Sequence, residues 1–253
     1  KIEKFSFKNK VEIDKAIENV KSKKFEISDI SSKIINRNPS GPFTTSTLQQ
    51  VASGRLGFGA SRTMQIAQKL YQGIEIDGET IGLITYMRTD GTNLSSDAID
   101  SFRSYIKNEF GNEYLPAAAL NYTGKKAKNA QEAHEAIRPT DIIRSPNDVK
   151  KYLSPDQHKL YDLIWSRALS SQMESAKFDR NTITISAEDG QTICKASGSV
   201  IKFDGFLRIM KDSRNSDDEE ILPEMSKGPI NIEALVDEQH FTQPPPRYSE
   251  ASL

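Results

Sequence analysis

The spacing of apolar residues changes along the chain, and each change predicts a different kind of element. Apolar residues recur three or four positions apart between residues 13 and 20, which predicts a helix that begins near Val11. Alternating runs on either side of this helix predict strands over residues 1–8 and 25–35. A turn-rich segment over residues 36–42 then ends the first part of the chain.

The middle of the chain, from residue 43 to about residue 175, has mostly helical spacing. Two helices are predicted on either side of the turn at residues 57–59, one capped by Ser46 and the other by Ser61. Two short helices across a glycine turn are typical of a helix-turn-helix. The other elements expected here are a short strand over 82–88 and helices over 96–110, 131–137 and 155–172.

From Phe178 onward the apolar period is two, which predicts strands. These strands are expected over residues 182–186, 192–196, 200–203 and 230–235. Residues 211–220 contain no apolar side chain and predict a solvated loop. The simplest architecture is α+β, with a mainly helical domain over residues 42–175 inserted into a β-rich domain built from residues 1–41 and 176–253.

Composition narrows the class of protein. The chain is 36% hydrophobic, which is enough apolar material for a core, and 34 basic against 35 acidic residues give a net charge of −1. No whole-chain basic excess therefore signals nucleic acid, although a local groove can be positive on a neutral protein. The single cysteine, Cys194, excludes an intramolecular disulfide and favours a reducing compartment. No apolar run reaches the ~18 residues that a membrane span needs.

The two ends of the sequence predict a piece of a longer protein. There is no initiator methionine, and residues 247–253 have the pattern of a helix that is beginning.

Candidate chemistry lies in residues 84–90, Ile-Thr-Tyr-Met-Arg-Thr-Asp. In an extended segment, Tyr86, Arg88 and Asp90 project from one face. A phenol with a reference pKa of about 10 is a poor nucleophile unless its anion is stabilised, and a guanidinium on the same face can stabilise it and bind a phosphodiester. From these three residues alone, the simpler interpretation is a packed tyrosine beside an Arg88–Asp90 ion pair.

Five segments together, in this order and with this approximate spacing, resemble the type IA DNA topoisomerase family. They are Pro-Phe-Thr-Thr-Ser-Thr-Leu-Gln-Gln at 42–50, Arg-Leu-Gly-Phe-Gly at 55–59, Tyr-Met-Arg-Thr-Asp at 86–90, Gln-Glu-Ala-His-Glu-Ala-Ile-Arg-Pro at 131–139, and Pro-Pro-Pro-Arg-Tyr-Ser-Glu-Ala-Ser-Leu at 244–253. The resemblance runs from about residue 40 to the end of the sequence.

The resemblance implies roles for particular residues. Tyr86 would be the nucleophile that forms a 5′-phosphotyrosine link, and Arg88 would contact the scissile phosphate. His134 would bind DNA beside the break, with Arg138 one helical turn further on; without the family, a lone histidine on a polar helix is simply a solvated residue. Gly91 departs from the family pattern, which has serine there, and this departure puts one local hydrogen bond in doubt.

The resemblance also implies a fold and cofactors. The helical domain would contain a catabolite-activator-like helix-turn-helix, and the β-rich domain would be part of an arch. Mg²⁺ would be bound by an N-terminal toprim domain, because no Asp-x-Asp-x-Asp segment occurs here and residues 217–220 lie in the predicted loop. No ATP would be needed, and the metal ligands would all lie outside this fragment, so we expect the chain alone not to relax plasmid DNA. The implied partners are DNA, single-stranded at the cleavage site, and the remaining domains of the same polypeptide, in the bacterial cytoplasm at the nucleoid.

Two other interpretations remain at this point. Tyrosine recombinases and type IB enzymes also form phosphotyrosine, but they gather two arginines and further basic groups and leave a 3′ link, and the motif order here does not match theirs. A helix-turn-helix DNA-binding regulator would use residues 46–72, and a Tyr86→Phe change would leave its function intact.

Overall fold

The structure of the protein, a computed structural model, describes residues 9–122, 134–210, 222–234, 241–245 and 247–251. Within this part of the chain, helix and sheet are mixed, as the α+β prediction requires. Contacts divide the described residues into two compact units. The first unit lies within Lys1–Ile35, Phe178–Lys202 and Arg214–Pro245, and the second lies within Asn36–Lys177, Phe203–Ser213 and Pro246–Leu253.

The first unit is built on a sheet that, among the described residues, has four strands: β1 (Phe25–Arg37), β4 (Ala176–Ala187), β5 (Ile193–Phe203) and β6 (Gly228–Ile230). Their order in the sheet is β5-β4-β1-β6. The helix α1 (Lys10–Lys21) begins where the Asn9 side chain accepts a hydrogen bond from the backbone of Glu12. The strand β1 precedes the helices of the second unit in sequence, and it lies between two strands that follow them.

Most of the strands predicted in this unit are confirmed, but their bounds differ. The strand β4 begins at Ala176, six residues before the run expected over 182–186. A single strand, β5, replaces the two runs expected over 192–196 and 200–203. The strand expected over 230–235 is wrong for residues 231–234, which form no strand, because Ile230 already pairs with Phe25, the first residue of β1. The strand predicted over 1–8 and the loop predicted over 211–220 lie outside the described residues.

The second unit is mainly helical. Its helices are α2 (Thr45–Leu56), α3 (Ala60–Gln72), α4 (Ser96–Phe110), α5 (Pro146–Val149) and α6 (Pro155–Ser170). A hairpin of β2 (Ile74–Ile76) and β3 (Glu79–Ile81) follows α3, and 3₁₀ turns occur at Asn112–Tyr114, Lys150–Tyr152 and Gly205–Arg208. Among the helices that the structure describes, none could serve as a membrane span.

The caps explain where the first two of these helices begin, and they correct the predicted caps. The Thr44 side chain accepts a hydrogen bond from the backbone of Thr47, and the Thr47 side chain accepts one from the backbone of Thr44. This reciprocal capping box starts α2 two residues before the predicted cap, Ser46. The helix α3 starts after Gly59, so Ser61 lies inside it and is not its cap.

The core of the second unit lies between α2, α3 and α6, with α4 and the segment after β3 closing it. Its largest fully buried side chains are Tyr161, Phe43, Phe102, Leu48, Leu70, Leu83, Ile84, Met87, Ile106, Ile137, Leu160 and Ile164. Two of these, Ile84 and Met87, flank Tyr86 closely in sequence. The backbone that carries Tyr86 is therefore packed against the core from both sides.

Candidate active site around Tyr86

Tyr86 lies in an extended segment between β3 and α4 that is not a regular strand. Within the described residues, the only β-pairing of this segment is an isolated bridge between Ile84 and Pro139. The strand predicted over 82–88 is therefore wrong. The segment has two different backbone partners: the amide of Leu83 donates to the carbonyl of Leu70 (2.8 Å), and the amide of Thr85 donates to that of Arg138 (2.9 Å). Because its partners lie partly at the end of α3 and partly in the loop before α5, the segment forms no continuous run of β-sheet hydrogen bonds. Its backbone is nevertheless held in place by these bonds.

Burial alternates after Tyr86, as expected for extended backbone. Met87 and Thr89 are buried, whereas Tyr86 is half-buried and Arg88 and Asp90 are exposed. Within the described residues, Arg88 forms no ion pair with Asp90 or with any other carboxylate. The simpler interpretation of an Arg88–Asp90 ion pair is therefore wrong, and the guanidinium faces solvent on the outer side of the segment.

Two aromatic rings bracket the Tyr86 ring. Tyr71, near the end of α3, meets it edge-on with ring centroids 5.4 Å apart and an interplanar angle of 68°. The centroid of the His134 ring lies 5.1 Å from that of the Tyr86 ring, and the interplanar angle is 55°. The Tyr86 hydroxyl has no hydrogen-bond partner among the residues that the structure describes. The ring is thus positioned by its neighbours while its oxygen forms no hydrogen bond with the described residues.

Threonine hydroxyls fix the backbone on both sides of Tyr86. Before it, the Thr85 hydroxyl donates to the carbonyl of Ala136 (2.7 Å) and accepts from the amide of Arg138 (3.0 Å). After it, the Thr45 hydroxyl lies 2.8 Å from the carbonyl of Met87 and accepts a hydrogen bond from the amide of Thr89 (2.8 Å). Sequence reasoning missed this arrangement, although Thr45 lies in the matched segment 42–50.

His134 lies on extended backbone, which corrects the helix predicted over 131–137. Residues 131–133 are outside the described part, but from His134 to Ile137 there is no helix. The backbone there pairs with distant residues instead: the amide of Ala136 donates to Asn93 (2.9 Å), and that of Ile137 to Phe43 (2.8 Å). Arg138 is therefore not one helical turn away from His134.

Gly91 permits a close approach of the His134 backbone. A Cβ atom at position 91 would lie 2.5 Å from the His134 carbonyl oxygen and 3.3 Å from the Thr89 hydroxyl. The same carbonyl accepts a hydrogen bond from the Thr89 side chain (3.3 Å). Glycine, where the family pattern has serine, therefore lets this loop lie against the residues that follow Tyr86.

Arg138 lies beside the site with its guanidinium engaged inside the protein. Its Nε donates to Glu135 (2.6 Å), and its terminal nitrogens donate to the carbonyl of Pro139 (3.0 Å) and the hydroxyl of Ser95 (3.4 Å). Burial raises the pKa of Glu135, but the hydrogen bond and charge of Arg138 outweigh this effect and lower it overall. The structure thus brings His134 to Tyr86 and gives Arg138 contacts that shape the loop.

Within the described ranges, no group of three or more His, Cys, Asp or Glu side chains is arranged to hold a metal ion.

Comparison with known proteins identifies the family. The family model described as DNA topoisomerase matches residues 1–253. The chain belongs to the bacterial DNA topoisomerase family. This family match confirms the resemblance to type IA topoisomerases that the sequence predicts.

Topoisomerase relatives match all or nearly all of the chain and are about three times as long. The chain is 48% identical to DNA topoisomerase 1 of Rickettsia bellii over 257 residues, which cover 100% of this chain and 32% of the relative. DNA topoisomerase 1 of Xylella fastidiosa is 46% identical over 245 residues, covering 94% of this chain and 30% of the relative. The chain therefore spans about a third of the length of these curated relatives.

A solved topoisomerase has a similar fold. The full-length topoisomerase I of Thermotoga maritima superimposes with a TM-score of 0.74 at 33% identity, covering 91% of this chain and 36% of that one.

Proposed function

We propose that this chain is the part of a type IA DNA topoisomerase that carries the nucleophile, Tyr86. The phenolic oxygen attacks a DNA phosphodiester, its bond to phosphorus forms, and the 3′ oxygen of the neighbouring sugar leaves with a proton. The product is a 5′-phosphotyrosine. The observation that carries this proposal is the hydroxyl of the half-buried Tyr86, which has no hydrogen-bond partner among the described residues, on a backbone fixed from both sides.

The reverse step reseals the strand. Phenolate is a better leaving group than a sugar alkoxide, so the phosphotyrosine stays reactive and the 3′ hydroxyl displaces it without ATP. Between the two steps the intact strand passes through the gap, and torsional strain in negatively supercoiled DNA drives relaxation.

Arg88 and His134 have distinct roles in this proposal. Arg88 is exposed and without an ion pair in the described structure, so its guanidinium can pair with the non-bridging phosphate oxygens as charge develops on them. His134, in contact with the Tyr86 ring, would bind DNA beside the break. We propose that Arg138 acts mainly by holding the loop that carries His134, because its guanidinium already has three protein partners.

The same proposal assigns the domains and the cofactor. Residues 42–175 would form the inserted domain, with α2 and α3 as its catabolite-activator-like helix-turn-helix, and residues 1–41 and 176–253 would belong to the arch. The position of β1 between β4 and β6 supports an insertion of this kind. Mg²⁺ would be held by a toprim domain elsewhere in the polypeptide, as the greater length of the relatives allows. The substrate would be DNA, single-stranded at the break, in the bacterial cytoplasm.

Covalent trapping tests the proposal. A full-length protein carrying this chain is incubated with Mg²⁺ and a labelled single-stranded oligonucleotide, denatured with detergent, and run on a denaturing gel. We expect the wild type to form a covalent adduct and the Tyr86→Phe variant to form none. Tyr71→Phe is the matched control, because it removes a hydroxyl from the neighbouring exposed ring and should leave the adduct intact.

End mapping separates the proposal from its alternatives. Protein attached to a 5′ phosphate supports type IA chemistry, whereas attachment to a 3′ phosphate would indicate recombinase or type IB chemistry. An adduct that persists with Tyr86→Phe would refute the role of this tyrosine. DNA binding without any adduct, unchanged by Tyr86→Phe, would favour the regulator.

A further inference from the structure

Acidic residues are absent from one long stretch of the sequence. The chain has 35 acidic residues, yet none occurs between Asp29 and Glu75, a stretch of 45 residues in which about six would be expected at the average density. The helices α2 and α3 lie in this stretch and carry only positive charges, at Arg55, Arg62 and Lys69. The two helices themselves therefore contribute no carboxylate to repel phosphate. Within the described residues, Arg62 forms an ion pair with Asp156 of α6, whereas Lys69 forms none.

The outer face of α3 adjoins Arg88. Ser61, Gln65, Gln68 and Gln72 are spaced by three or four residues, so they lie on one side of the helix. Together with Lys69 they line an open depression of about 450 Å³ that Arg88 also lines. Apart from Met64, the lining is polar or cationic, and it includes no carboxylate.

We propose that this face of α3 is a binding subsite for single-stranded DNA, continuous with the scissile phosphate at Arg88. The proposal rests on the function proposed above and extends it to nucleotides beyond the break. Lys69 supplies a charge for a phosphate, and the three glutamine amides both donate and accept hydrogen bonds, which suits base edges as well as phosphate oxygens.

The length of the face sets how much strand it contacts. From Ser61 to Gln72 the helix rises about 16 Å at 1.5 Å per residue. A stacked strand advances roughly 3.4 Å per nucleotide, so the face could accompany about five nucleotides. A protein partner fits less well, because the centre of such an interface is usually rich in aromatic residues and depleted in Lys and Ser, whereas this lining has no aromatic side chain and includes Lys69 and Ser61.

Paired charge variants test the subsite. In a full-length protein carrying this chain and Tyr86→Phe, which prevents cleavage, the Gln65→Glu/Lys69→Gln variant is compared with Ser104→Glu/Lys107→Gln. Both pairs change the charge equally, lie on exposed positions, and replace a lysine in the last turn of a helix, α3 or α4. The probe is a fluorescent single-stranded oligonucleotide, titrated at several salt concentrations.

We expect the α3 pair to weaken binding about tenfold at low salt and the α4 pair to weaken it less than twofold. Loss of one phosphate contact should also make the slope of log affinity against log salt less negative by about 0.7. Equal weakening by both pairs would overturn the proposal, since it would then reflect total charge alone. Unchanged binding with a lower melting temperature for the α3 pair would also overturn it, because the face would then pack against protein.

Trapping assays keep the two proposals apart. If the Tyr86-containing protein forms no adduct but the α3 pair still weakens binding selectively, the cleavage proposal fails and the subsite stands. If the adduct forms and both pairs bind alike, the subsite fails and the cleavage proposal stands.

Discussion

The Thr45 hydroxyl offers the most direct test of how the Tyr86 segment is held. We predict that Thr45→Val destabilises the helical unit and slows cleavage. Valine has nearly the same shape as threonine, so the change removes hydrogen bonds without leaving a cavity. In the wild type this hydroxyl accepts from the amide of Thr89 (2.8 Å) and lies 2.8 Å from the carbonyl of Met87.

The size of the effect follows from the groups that lose their partners. Thr89 is 7% exposed and Met87 is 1% exposed, so water does not readily replace the lost hydroxyl. An unsatisfied buried polar group costs about 1–3 kcal/mol. The amide of Thr89 and the carbonyl of Met87 both lose this partner, whereas the carbonyl of Thr89 keeps the Thr45 amide as a donor (2.9 Å), so we expect a total loss of about 2–6 kcal/mol in the free energy of unfolding.

Trp165 provides the measurement. It is the only tryptophan, is buried in α6, and donates from its indole nitrogen to the carbonyl of Ile142 (3.0 Å), so its fluorescence reports unfolding of this unit. Urea unfolding of wild type, Thr45→Val and Thr45→Ser gives the comparison. Serine keeps the hydroxyl and should lose less than about 1 kcal/mol.

The rate of cleavage should fall together with the free energy of unfolding, because both depend on how firmly the Tyr86 segment is held. With the segment less firmly held, we expect the rate of adduct formation by Thr45→Val to fall about tenfold with unchanged oligonucleotide affinity, because small displacements of a reacting group cost rate. A Thr45→Val variant within about 0.5 kcal/mol of wild type, or a serine variant as unstable as the valine one, would refute the reasoning.

Further predictions concern a half-buried tyrosine and two glycines. Burial raises the pKa of Tyr122 to about 12, with Arg167 opposing the shift, so the folded state holds this proton above the unfolded pKa of about 10. The free energy of unfolding should therefore fall as pH rises from 10 to 12, and urea titrations should show a shallower fall for Tyr122→Phe; equal falls would contradict this. Gly205→Ala should destabilise the unit by about 2–4 kcal/mol, because φ is +50° and a Cβ would lie 2.5 Å from the Glu174 carbonyl oxygen. Gly54→Ala, in open space within α2, should instead stabilise it by about 0.5–1 kcal/mol in the same unfolding assay, and a loss there would contradict the helix argument.

Elements whose stability is local were predictable from sequence. The helix over 96–110 was predicted to the residue, because Ser95 caps it and apolar side chains follow at helical spacing. The helix α6 was predicted with its start correct, because Ser154, Pro155 and Gln157 form a capping box with proline in the first turn. Both signals lie within a few residues of the helix they start.

Elements whose stability is tertiary were not predictable in the same way. The segment around His134 is rich in helix-forming residues, but its backbone pairs with Asn93 and Phe43, which are distant in sequence, and tertiary pairing outweighs weak local propensity. The environment of Tyr86 was also only partly predictable. The outward face that it shares with Arg88 follows from alternation, whereas the contact with Tyr71 depends on where α3 ends relative to the extended segment.

The contact between Gly91 and the His134 carbonyl makes these two positions interdependent. Any side chain introduced at residue 91 must first displace the backbone that holds the His134 ring against Tyr86. Exchanging residue 91 alone between this protein and a serine-containing homologue is thus not a neutral swap. A chimaera would need the loops that carry residues 91 and 134 from the same parent protein, so that the His134 ring stays in contact with Tyr86.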